Sequence, residues 1–85
     1  MTHTPHALHA EFPNDADALH SLKLGNVHFN NRADAYHDLN REIHRIDSGI
    51  EAASGDRIEQ LKKARLALLD EIAGMIATTK LEAVK

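Results

Sequence analysis

Apolar residues fall seven apart through the first half of the chain. Leu22, Phe29, Tyr36 and Ile43 carry the repeat, Leu39 and Ile46 fill the intermediate positions, and Leu19 and Ala33 do so earlier. Heptad spacing predicts a long helix whose apolar seam winds left-handedly against a partner. Pro13, followed by Asn14 and Asp15, marks its start. Either polar residue can cap the helix, and Asp17 adds negative charge at the positive end of the dipole. No proline interrupts the chain before Asp47, so one helix over about 14–47 is expected, roughly 50 Å long. Its weak stretch is Gly25-Asn26 and Asn30-Asn31, where an interior glycine costs about 1 kcal/mol relative to alanine. Any fraying or bend belongs there.

The segment DSGIEAASG, Asp47 to Gly55, breaks the pattern. Gly49 suits a helix C-terminus. Ser54 or Asp56 can cap a second helix, and Asp56 with Glu59 has capping-box spacing. The turn is therefore placed at about 48–54 and the second helix at about 55–79, and a link this short makes the helices antiparallel neighbours. Ile58, Leu61, Leu68, Ile72 and Met75 form one apolar stripe on it, with Leu66, Leu69, Ala73 and Ile76 alongside. Together they cover about half the circumference, wider than the ~100° stripe of an ordinary surface helix. One partner helix does not cover that arc. The expected hairpin core is thus Leu22, Phe29, Tyr36, Leu39, Ile43, Ile46, Ile58, Leu61, Leu68, Ile72 and Met75. Leu66, Leu69, Ala73 and Ile76 are left for an oligomer interface. With the turn centred near residue 51, Ile43 and Ile46 should lie near Ile58 and Leu61, Tyr36 near Leu68, and Phe29 near Ile72 and Met75. The same register brings Arg32 toward Asp70 or Glu71, and Glu42 toward Lys62.

Composition narrows the classes of function. Among 85 residues, ten Lys and Arg stand against thirteen Asp and Glu, for a formal charge of −3. A nucleic-acid partner needs a concentrated basic face, and this balance does not supply one. The single basic cluster, Lys62-Lys63-Ala64-Arg65, is flanked by Asp56, Glu59 and Asp70. Its long stems are expected to pack while their charged ends reach acids. The absence of cysteine removes disulfides and thiolate metal sites. No apolar run approaches the roughly 20 residues of a bilayer span, so no membrane partner is expected. The N-terminus carries no apolar secretory segment, and the expected compartment is the cytoplasm.

Seven histidines raise the question of metal binding. A metal-holding pair on a helix needs spacing of three or four, as in HExxH. On the long helix, His37 and His44 share a face seven apart, while His20 and His28 point elsewhere. His3, His6 and His9 lie in residues 1–12, which lack apolar periodicity and read as a flexible tail. Their expected role is polar surface, with no metal and no cofactor assigned. Asp34 with Asp38, and adjacent Asp70-Glu71, are carboxylate pairs, but general acid–base work needs a cleft that perturbs their ionisation, which a two-helix hairpin does not offer. No phosphate loop, nucleophile elbow or Ser/His/Asp grouping is present. No catalytic residue is assigned, and an enzyme is not expected.

Phe12-Pro13, Leu22-Lys23, His28-Phe29, Tyr36, Leu39, Ile43 and Arg45-Ile46, with Gly49, Ser54, Leu61-Lys62-Lys63, Arg65-Leu66 and Asp70-Glu71-Ile72, resemble the YdcH-like family of short bacterial proteins. The resemblance covers about residues 11 to 77. Its most specific part is LKKxRLxLxDEI, similar to the family's LKK.RL.LKDEI, with Leu69 where a lysine stands before the Asp-Glu pair. The resemblance implies a helical bacterial protein of no settled activity, so no catalytic residue is carried over. The resulting expectation is an all-α protein: one helical-hairpin domain over 13–85, coiled-coil-like, assembling as a dimer or larger bundle. It would act by self-association or on an unidentified protein partner. The alternative is a metal- or pH-responsive module using the histidines.

Overall fold

Asn26 divides the first predicted helix in two. The computed structural model describes residues 6–83, and side-chain surroundings for residues 8–83. Its helices are α1 (His6–Glu11), α2 (Ala16–Gly25), α3 (Val27–Asp47) and α4 (Gly55–Ala83), with no strand among the described residues. The single helix expected over 14–47 is therefore corrected to α2 and α3. Asn26 has an extended backbone, φ −128° and ψ 103°. Its N–H donates to the Leu22 carbonyl, closing α2, while its side-chain oxygen accepts from the Phe29 N–H at 2.8 Å, opening α3. One residue thus serves both helix ends, satisfying groups that a helix terminus otherwise leaves unpaired. The Asn30 side chain adds a bond to the Lys23 carbonyl across the break, at 3.1 Å.

The break changes the architecture. α3 and α4 pack as an antiparallel hairpin, and α2 turns back to contact both. Ala18, Leu19 and Leu22 of α2 join Phe29, Ala33 and Tyr36 of α3 and Leu68, Ile72 and Ile76 of α4 in one buried cluster. Leu8 of α1 belongs to it as well, at 1% exposure. The reading of residues 1–12 as a flexible tail is corrected from His6 onward: a short helix docks there through one leucine. His3 and the side chain of His6 lie outside the described residues. Nearer the turn, Ile43 and Leu61 are buried. No polar or charged residue is buried as a whole among the described side chains, so the interior is held mainly by apolar contact.

The hairpin turn is built from local chemistry. Gly49 has φ +80°, a left-handed conformation that other residues adopt at a cost. It lets the Ile50 and Glu51 N–H groups return to the Arg45 carbonyl, at 3.0 and 3.2 Å. Ser54 caps α4, its Oγ accepting from the Arg57 N–H at 3.2 Å. Register is carried by pairs other than those anticipated. Glu71 meets His28 rather than Arg32, and Glu42 meets Arg57 rather than Lys62. Arg65 donates to Asn40 at 3.2 Å. Each observed pair sits within one helical turn of the predicted alignment.

Candidate functional site

Two surfaces are candidates once the core is assigned: one flank of α4, and a cavity walled by α1, α2 and α3. On α4, Leu66 is 59% exposed, and Ile58, Leu69 and Ala73 are half-buried. At 100° per residue these four share a side of the helix, in a strip about 22 Å long. Ile58 and Leu66 line a shallow depression with Gly55, Glu59, Lys62 and Lys63. Ile76, expected at the oligomer interface, is instead 3% exposed in the chain's own core. The cause is the turn at Asn26, which brings α2 over the C-terminal half of α4. Leu69 also packs partly against that core. Leu66 and Ala73 thus keep outward surface, while Ile76 loses it.

Of the residues expected in the hairpin core, Leu22, Phe29, Tyr36, Ile43, Leu61, Leu68 and Ile72 are buried. Leu39, Ile46, Ile58 and Met75 are half-buried at its margins. The basic cluster is spread over the surface: Lys62 and Lys63 are exposed, Lys63 lies 3.8 Å from Glu59 one turn away, and Arg65 is engaged with Asn40. Asp38 pairs with Arg41, and Glu71 with His28 at 2.9 Å. Both carboxylate pairs named from the sequence are exposed, and the acids that carry these bonds hold side chains between or along helices.

The cavity has a volume of about 220 Å³. Leu8, Leu19, Phe29 and Ala33 supply apolar wall; His9, His20, Lys23, Asn30, Asp34 and His37 supply polar groups. His20 was expected to point away from His37, as it would on a straight helix. Folding α2 back at Asn26 instead sets both on one cavity, with His9 delivered by α1. His37 stands edge-on to Tyr36, ring centroids 5.7 Å apart. Its Nε2 is buried with no hydrogen-bond partner. Burial is the main influence on its ionisation and lowers its pKa below 6.5; Arg41 acts in the same direction, while Asp34 and Asp38 oppose it. His44 lies away from the cavity, 3.5 Å from Ser48. Among the described residues, no three His, Cys, Asp or Glu side chains are grouped so as to hold a metal ion. Heptad analysis could not find this cavity, because the periodicity merges α2 and α3 into one helix and leaves α1 as tail.

Comparison with known families gives one match. The family model described as a protein of unknown function (DUF465) covers residues 29–76, more than half of the chain. That span is the α3–α4 hairpin from Phe29 to Ile76; α1, α2 and the Asn26 junction lie outside it. No curated protein and no solved structure matches the chain. No helix among the described residues is long and apolar enough to cross a membrane.

Proposed function

Since the chain belongs to the YdcH-like family of small proteins of unknown function, we propose that it is a non-catalytic interaction protein that works by pairing with a second copy of itself. The observation that carries this reading is Leu66, exposed in the middle of the apolar strip of α4. Removing such a strip from water is favoured at about 25 cal/mol per Å². A small helical unit gains from pairing because its own core is limited.

Charge placement supports a particular geometry. A two-fold axis at Leu66 makes the contact isologous, each residue meeting its counterpart in reverse order. Positions summing to 132 then oppose one another. Leu66 faces Leu66, and Lys62, within the strip, comes level with Asp70 of the other copy, within reach of its long side chain. A dimer would so gain two symmetric ion pairs flanking an apolar centre, and a parallel arrangement would gain neither. The cytoplasm remains the proposed setting.

Sedimentation equilibrium tests the reading. The parent is expected to be at least dimeric at tens of micromolar. Leu66→Lys should shift the mass to monomer while retaining helicity, because the side chain is already largely in water. Lys62→Glu should weaken association, and Lys62→Glu with Asp70→Lys should restore it. A monomeric parent would end the proposal. An unchanged mass in Leu66→Lys would move the interface elsewhere.

A further inference from the structure

We propose that residues 6–12 form a strap that undocks from α2 and α3 as a unit while the rest of the chain stays folded, uncovering apolar wall at Leu19, Phe29 and Ala33. The length of α1 argues for this. A helix of 6 residues falls well short of the roughly 12–15 that hold together in water, so α1 is helical only while docked. Docking rests on few side chains. Of those described in α1, Leu8 is buried at 1% exposure, while His9, Ala10 and Glu11 face water. Phe12, at its end, is half-buried against the core. Among the described residues, no hydrogen bond or ion pair joins α1 to another helix; the Phe12 N–H returns to the Leu8 carbonyl within the same segment, at 2.9 Å.

The seat beneath the strap is incomplete. About 220 Å³ stays open between α1, α2 and α3, with Leu8 and His9 on its wall. Close-packed interiors leave few voids larger than a water molecule, and atoms beside a gap lack the dispersion contact that a neighbour would supply. The hinge is free to turn, because Pro13 and Asn14 are exposed. Just past it, the Asp15–Lys80 pair ties the start of α2 to α4, so α2 keeps its place when the strap leaves. Tyr36, Leu68, Ile72 and Ile76, on α3 and α4, belong to the same cluster and are supplied by the hairpin itself. Opening therefore adds apolar surface without altering the α3–α4 hairpin. It does not rest on pairing of the α4 flanks.

A strap that opens by itself puts a ceiling on what any change at Leu8 can do. Once docking is abolished, a harsher substitution costs nothing more, because the remaining fold no longer contains the site. Leu8→Ala and Leu8→Asp, melted as full chains at dilutions below association, are therefore expected to lose the same small amount, under about 8 °C. In a single cooperative core, aspartate at a buried leucine would cost far more than alanine. Native-state amide exchange gives a second reading. In the parent, the Phe12 amide should exchange at least about a hundredfold faster than that of Ile72. In Leu8→Asp it should lose its protection while Leu22 and Ile72 keep theirs. Exchange of Phe12 at the rate of Ile72, a markedly greater loss in Leu8→Asp than in Leu8→Ala, or loss of protection at Leu22 in either variant would each overturn the proposal.

Discussion

Lys80 Nζ lies 2.8 Å from Asp15 Oδ1, joining the residue before α2 to the last turns of α4 across 65 positions of sequence. Asp15 occupies the N-cap position of α2, yet its side chain makes no capping bond. The carboxylate is spent on a distant partner instead of its own helix, and so reports whether α2 is folded back. Asp15 is mostly covered while Lys80 is mostly exposed, so the pair is expected to contribute no more than about 1 kcal/mol. Lys80→Glu should lower the melting temperature slightly, and adding Asp15→Lys should restore it, with both effects reduced in high salt. Absence of restoration would mean that the two residues are not paired in solution.

The Asn26 junction gives a second prediction. Replacing it with alanine removes the bond to the Phe29 N–H and should cost about 1 kcal/mol. It also removes the side chain that favours a new helix start over continuation of the old one. Amide exchange at Phe29 should accelerate, and contacts between α2 and α4 should weaken in the variant. Unaltered exchange at Phe29 would count against the cap.

Core packing separates residues that share an apolar stripe. Ile72 is fully buried, so Ile72→Ala should cost about 2–5 kcal/mol through lost burial and the cavity left behind. Leu66→Ala, on the same helix but largely in water, should change monomer stability by less than about 0.5 kcal/mol. Equal losses for the two, measured by urea unfolding at dilutions below association, would show that the stripe is buried evenly.

His37 makes stability depend on pH in a definite direction. Its folded pKa is lowered below 6.5, first by burial and then by Arg41, against Asp34 and Asp38. Above 6.5 both folded and unfolded forms are neutral there, and the stability of the docked ring is fully present. As pH falls below 6.5 the unfolded chain takes up a proton more readily, and stability is lost until the folded form protonates as well. His37→Gln should flatten the fall in melting temperature between about pH 7 and 5. An identical slope in parent and variant would remove His37 as its source.

The hairpin was legible because its signals are local. Heptad spacing from Phe29 to Ile43, Gly49 at the break and Ser54 before α4 each act within a few residues. Together they impose helix, stop and restart whatever the rest of the chain does. The weak stretch at Gly25-Asn26 was visible too, but periodicity could not decide between a bend and a break. That choice depends on whether α2 gains more by continuing the seam or by covering α4.

The same distinction accounts for what the sequence left open. By itself it determined the helices of the hairpin and their antiparallel order, because period and capping are properties of neighbours along the chain. Tertiary structure alone decided that α2 folds back, that Leu8 enters the core, that Ile76 is covered while Leu66 is not, and that His9, His20 and His37 share one cavity. These follow from competition among apolar surfaces for the same cover, and burial is non-directional. Residues far apart in sequence settle that competition only once the chain has closed on itself.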